Sequence, residues 1–196
     1  MPRPRTHDDA LRQRLLDRAG ELLADEGVKA LSLRRLAGAV GTSTTAVYSL
    51  FGNKPGLVNE LYVEGFRRFG ARLRAVPPTN DVFEDLVRIG LEYRSSALAD
   101  RRLYPIMFTN AVPGFEPDAA CGELARQALR PLWDRVRAGI AAGALVDAGT
   151  DVIAVGYWAC VHGLVSLELS HMLPGEFDMC TTYRRALRAH AEGWRR

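Results

Sequence analysis

Cysteine is scarce, and what there is carries no pattern. The 196 residues hold three, Cys121, Cys160 and Cys180. They are odd in number, far apart and without CxxC spacing, which excludes a disulfide scaffold and any zinc site of recognisable ligand spacing. Free thiols buried in a reducing cytoplasm are the expectation. Long apolar runs are also lacking. The longest, Val152 to Leu167, is interrupted by His162 and falls short of the ~20 residues of a membrane span, so it reads as a buried helix. The charged start, Met1 to Thr6, has no apolar segment of the signal-peptide kind. A cytoplasmic location with no membrane partner is therefore expected. Alternating apolar runs with hairpin turns are absent, which argues against strands. So are GxSxG, GxGxxG, P-loop and HExxH patterns, so no catalytic residue, cofactor or metal is expected.

Charge is present but unevenly placed. The net charge is +3. From Met1 through Ala75 there are 13 Lys and Arg against 8 Asp and Glu, and from Val76 onward 13 against 15. A basic excess at one end suggests a polyanion partner there, while a mildly acidic remainder does not fit a protein that coats nucleic acid over its whole surface.

Helical spacing runs through the chain. Thr6 and Asp9 form a plausible capping pair. Leu11, Leu15, Ala19 and Leu22 mark one face, and Gly27 supplies the stop. A short helix opens at Ser32 and ends at Gly41, with Leu33, Leu36, Ala37 and Val40 facing inward. Another opens near Ser43 and runs to Phe51, and Asn53 caps a long fourth helix in which Pro55 sits harmlessly in the first turn. Pro77-Pro78 is the clearest break. It suggests an N-terminal domain over residues 1–54, a connecting helix over 55–75, and a larger helical domain over 76–196. Helices are expected in the latter at Asp81–Leu98, Leu103–Phe108, Cys121–Ala142 (bent or broken at Pro131), Asp151–Met172 and Asp178–Trp194.

Two short helices meeting at a glycine turn form a helix-turn-helix, whose second helix can lie in the major groove of DNA. That second helix is poor in charge but offers Thr44, Thr45, Ser49 and Tyr48. Hydroxyls contact phosphates or base edges, and a threonine methyl can touch that of thymine.

The stretch AGELLADEGVKALSLRRLAGAVGTSTTAVYSLFGNKPGLVNELY, residues 19–62, resembles the N-terminal domain of TetR-family regulators. The resemblance rests on Gly27, Leu31-Ser32, Leu36-Ala37, Gly41, Val47-Tyr48, Phe51, Asn53-Lys54 and Leu57. Pro55, where an acidic residue is common, and Gly38, which costs a helix ~1 kcal/mol against alanine, depart from it. The resemblance implies that Tyr48 and Lys54 hold phosphates, that Ser32 caps its helix and touches backbone, and that Arg34, Thr44 and Thr45 approach base edges with Ala46 in apolar contact. Arg35 is a weaker candidate, and Arg3 and Arg5 would reach the minor groove or a phosphate. Against these roles stand a half-buried core tyrosine at Tyr48 and ordinary solvated charges at Lys54 and Arg34.

The segment Tyr157 to Glu168, YWACVHGLVSLE, resembles the Trp-His-Gly type of C-terminal domain in the same family, and Leu103 to Phe108, LYPIMF, fits that subgroup. Such a domain implies a small-molecule effector and a homodimer. Large, partly polar side chains suited to a pocket are Tyr104, Met107, Phe108, Trp133, Tyr157, Trp158 and His162, each equally at home in a core. Small residues Gly156, Ala159, Gly163 and Ser166 form a stripe that lets another helix come close. With Tyr183 and Leu187 on the next helix they are candidates for a four-helix dimer interface. The expectation is thus an all-α protein, a three-helix DNA-binding head joined to a ligand-binding and dimerisation body. Its function would be repression relieved from a palindromic operator by an apolar or amphipathic ligand. The alternatives are constitutive DNA binding without ligand control, or a helical enzyme using carboxylates such as Glu92 and Glu168.

Overall fold

The computed structural model describes residues 5–109, 112–173 and 178–196, with side chains from Asp8 onward. Arg3 and the side chains of Arg5 and Thr6 lie outside the described residues. Among the described residues there are nine helices and no strand: α1 (Arg5–Glu26), α2 (Leu33–Val40), α3 (Thr44–Phe51), α4 (Lys54–Ala75), α5 (Val82–Ala99), α6 (Tyr104–Phe108), α7 (Ala119–Ala141), α8 (Thr150–Leu169) and α9 (Met179–Glu192). Pro131 does not break α7, which continues through it; the residue removes one N–H from the helix ladder.

The chain forms two compact units. One takes the residues up to Arg67 together with Arg102–Leu124, and the other takes Arg68–Arg101 and Ala125–Arg196. The division falls within α4, between α5 and α6, and within α7.

In the first unit, burial follows helical periodicity. Leu15, Leu16, Ala19, Leu22 and Leu23 of α1 are buried, as are Leu33, Leu36 and Ala37 of α2, Val47 and Phe51 of α3, and Leu57, Val58 and Leu61 of α4. Each such leucine contributes roughly 2 kcal/mol. The α6 segment belongs here too. Arg102 pairs with Glu21 at 2.9 Å, and Phe108 packs edge-on to Phe66 at 5.2 Å.

In the second unit, α5, α8 and α9 pack tightly around Gly90. A Cβ there would lie 2.4 Å from Leu187 Cδ1 and 3.1 Å from the Tyr157 hydroxyl. Tyr183, fully buried, donates its hydroxyl proton to the Val161 carbonyl at 2.7 Å. The chain end is tied down as well: Val146 N–H donates to Trp194 O at 2.9 Å, and the Arg195 guanidinium sits 4.0 Å above the Phe83 ring.

Candidate nucleic-acid interface

The turn between α2 and α3 is built from side-chain and glycine caps. Ser32 accepts from Arg35 N at 3.2 Å and so opens α2. Gly41, at φ 70° and ψ 40°, closes it in the left-handed conformation that other residues adopt at a cost. Gly41 N–H donates to Gly38 O and Thr42 N–H to Ala37 O, the paired bonds of a Schellman ending. Two residues later Ser43 accepts from Ala46 N at 3.1 Å and opens α3.

The caps fix which face of α3 turns outward. Val47 and Phe51 anchor the inner face, while Tyr48 stands 54% exposed with Thr45 and Ser49 exposed beside it. Thr44 and Ala46 are half-buried at the opening turn. Tyr48 is therefore no core tyrosine, since more than half of the residue is presented to solvent. Arg34 is exposed, with no hydrogen bond or ion pair among the described residues. Arg35 differs, pairing with Glu26 at 2.5 Å, so its charge is partly committed to the head itself. Lys54 is half-buried and donates to the Val28 carbonyl at 2.6 Å.

Gly56 is the residue at this site that escaped sequence reasoning. Asn53 caps α4 by accepting from Gly56 N at 2.8 Å, and a Cβ on Gly56 would fall 2.1 Å from the Phe51 carbonyl oxygen. Gly56 thereby permits the close approach of the α3 end to the α4 start. A lone helix-interior glycine gives no sign of this contact.

The pocket candidates divide between the units. Tyr104, Met107 and Phe108 are in the first. Tyr104 and Met107 are buried there, Tyr104 lies 4.8 Å from Phe108, and Met107 packs where Gly65 leaves room. Trp133, Tyr157, Trp158 and His162 are in the second. Trp133 donates Nε1–H to Asp151 at 2.8 Å. Tyr157 is fully buried with its hydroxyl unpartnered, and burial pushes that hydroxyl's pKa well above its ordinary value.

Trp158 and His162 meet at a residue that periodicity does not single out. The Tyr93 hydroxyl lies 3.1 Å from His162 Nδ1, and Trp158 Nε1–H donates to the same hydroxyl at 3.4 Å. The Tyr93 hydroxyl thus links the indole to the imidazole, and burial holds the His162 pKa below its ordinary value. Nearby in sequence, Arg94 grips Glu168 with two hydrogen bonds of 2.7 and 2.6 Å, and Glu92 accepts from Ser96 at 3.3 Å. Both carboxylates considered for acid–base work thus have partners.

Among the interface candidates, Tyr183 and Leu187 are wholly buried inside the protomer, where α9 turns that face onto α5 and α8. The α8 stripe is different. Ala159 is exposed, Gly156 and Gly163 are half-exposed, and nothing lies within 4 Å of where a Gly163 Cβ would stand. Ser166 is half-exposed, though its hydroxyl oxygen is buried without a partner.

A capped helix-turn-helix on an all-helical chain defines a DNA-binding regulator class, and comparison with known proteins makes the assignment specific. Residues 86–194 match the family described as tetracyclin repressor-like, C-terminal domain, and residues 15–61 match bacterial regulatory proteins, tetR family. The chain belongs to the TetR family. Rv1816, an HTH-type transcriptional regulator of Mycobacterium tuberculosis, is 27% identical over 126 residues, covering 62% of this chain and 53% of that protein. The chain spans about half the length of the curated relatives it matches. The solved structure of a protein with unknown function from Rhodococcus sp. RHA1 superposes with a TM-score of 0.82 at 28% identity, over 95% of this chain and 96% of that one. NalD of Pseudomonas aeruginosa, the secondary repressor of the MexAB-OprM multidrug efflux pump, shares the fold with a TM-score of 0.71 at 23% identity, over 98% and 99% of the two chains.

Proposed function

We propose that this protein is a cytoplasmic, dimeric transcriptional repressor that grips a near-palindromic operator and is released from it by a small apolar or amphipathic molecule. The observation that carries the reading is the outer face of α3, where Thr45, Tyr48 and Ser49 are exposed beside a fully anchored inner face. Polar groups on a rigid helix can be laid into a major groove without rearrangement. Tyr48 and Lys54 supply phosphate contacts, and Arg34, Thr44, Thr45 and Ala46 face base edges. Ser32 is first of all a cap.

The dimer reading rests on α8. By length and composition this helix is apolar enough to cross a membrane, yet Val152 and Val155 are 56% and 48% exposed and Leu167 is 41% exposed. They flank the small residues Gly156, Ala159 and Gly163. A second copy of the same helix covers such a face in a twofold dimer. Effector control is assigned to the Tyr93, Trp158 and His162 group, whose aromatic rings and polar atoms are of the kind that orient a ligand. On this reading the protein binds and does not catalyse.

The test is a set of binding titrations of the purified chain, first on DNA selected from a random pool and then on scrambled DNA, at several salt concentrations. Preference for a palindrome with half-sites about one helical turn apart is expected. Equal binding to all sequences would indicate a sequence-independent DNA coat and overturn the repressor reading.

A further inference from the structure

Apart from the Trp158–His162 group, the second unit carries an open cleft of about 510 Å3 between the end of α4 and one face of α5. Its size lies within the roughly 300–1,000 Å3 of small-molecule sites. Arg88, Leu91 and Glu92 line it from successive turns of α5, and Arg72, Val76 and Pro77 line it from the α4 side. The two arginines are poorly neutralised. Arg72 lies 3.8 Å from an Asp100 carboxylate that is nearer to Arg68, at 3.1 Å. Arg88 has no hydrogen bond or ion pair among the described residues. Glu92, also in the cleft, accepts from Ser96 and leaves one positive charge in excess.

The apolar floor is fixed in place. Val76 O accepts from Arg135 at 3.0 Å, and the Arg135 guanidinium also lies 3.4 Å from the buried Asp85 carboxylate. That carboxylate accepts from Thr79 N at 2.6 Å. The segment from Val76 to Thr79 is thus held from two sides, and a ligand meeting it would order little on binding.

We propose that this cleft is a second ligand site, taking an amphipathic organic anion whose carboxylate is held by Arg72 and Arg88 and whose short apolar chain lies on Val76, Pro77 and Leu91. Guanidinium forks match a carboxylate in geometry as well as charge. A cationic amphiphile would meet two arginines and one glutamate. The site goes beyond the effector reading above, since it shares no residue with the Trp158–His162 group. It touches the last turn of α4, the continuous helix whose first turn carries Lys54.

The test uses the full chain without DNA, so that its outcome does not depend on operator recognition. Octanoate is titrated while the methyl resonances of Val76 and Leu91 are followed by NMR, with octyltrimethylammonium as the charge-reversed control. Saturable binding of one octanoate per chain is expected, with shifts at both residues and little response to the cation. Arg88→Gln and Arg72→Gln should each weaken octanoate about tenfold, the loss of one charge-assisted contact. Leu91→Glu, which sets a carboxylate on the floor, should abolish binding while circular dichroism stays unchanged. Equal response to both amphiphiles, wild-type affinity in both arginine variants, shifts confined to other residues, or no saturation below about 1 mM octanoate would each overturn the proposal.

Discussion

The ε-ammonium of Lys54 donates to the carbonyl oxygen of Val28, 26 residues earlier, at 2.6 Å. The bond ties the start of α4 to the turn that follows α1, where Gly27 takes a φ of 76°. One of three ammonium protons is used, so two remain for a phosphate. Lys54→Ala should therefore have two effects. Thermal unfolding should show a loss of about 1 kcal/mol, below the usual range for a bond to a charged group because the site is partly wet. DNA titrations should show affinity falling alike on all sequences, with the salt dependence flattened by about one unit of slope per subunit. Arg34→Ala has no internal bond to lose and should leave stability alone, while relaxing preference at particular base pairs by roughly 1–3 kcal/mol. A change of selectivity in Lys54→Ala without a change of slope would show that Lys54 is not the phosphate anchor.

Two glycines of the head should respond in opposite directions to alanine. Gly38 lies inside α2, and nothing stands within 4 Å of the place its Cβ would take. Gly38→Ala should therefore raise stability by up to ~1 kcal/mol through helix propensity. Gly56 would drive a Cβ to 2.1 Å from Phe51 O, so Gly56→Ala should lower stability by about 1–3 kcal/mol or more as the α3–α4 junction is forced apart. Denaturant melts of the two variants decide it. If Gly56→Ala is neutral, the junction relaxes freely and does not hold α3 in place.

Much of the head was legible because its signals are local. Ser32, Gly41, Ser43 and Asn53 each act on backbone groups within a few residues, and the structure finds each doing so. The outward face of α3 followed from the inward spacing of Val47 and Phe51. The body was less legible because its side chains are placed by distant partners. Tyr93 joins Trp158 and His162 across more than 60 residues, and no spacing rule reaches that far. Tyr183 and Leu187 have the periodicity of any buried helix face. Periodicity says that a face is covered but not whether the cover is this chain or another.

Acid should loosen the second unit before its carboxylates titrate. Burial lowers the pKa of His162 and of His190 from their ordinary value of 6.5. For a histidine held neutral, the unfolded chain binds more protons than the folded one as pH falls below 6.5. Stability from these residues is thus complete above that value and declines as pH drops through the window beneath it. Lowered acids such as Asp178 and Glu192, stabilised by hydrogen bonds to Thr181 and Arg188, act in a separate window below about 4.5. Melts of wild type and of His162→Gln/His190→Gln between pH 7.5 and about 5 should show a steeper decline for wild type. Parallel curves would mean that the two imidazoles are already free to charge.

The last prediction separates a face covered by this chain from one covered by its copy. Outside the neighbouring backbone of α8, no atom of its own protomer lies within 4 Å of where a Gly163 Cβ would stand, so Gly163→Arg should fold as wild type does. In the proposed dimer the same guanidinium would be pressed against a partner helix as a desolvated, unpaired charge. Light scattering at micromolar concentration should then report a monomer, with helical content unchanged by circular dichroism. Leu187→Arg supplies the contrast. Leu187 is fully buried and sits where Gly90 admits it, so a charge there should disrupt the protomer itself by several kcal/mol, in the range of unpaired buried charges. Loss of assembly in Gly163→Arg with retention of fold places the interface on the exposed stripe of α8. If Gly163→Arg remains dimeric, that stripe is covered by something else and the twofold contact lies on another surface.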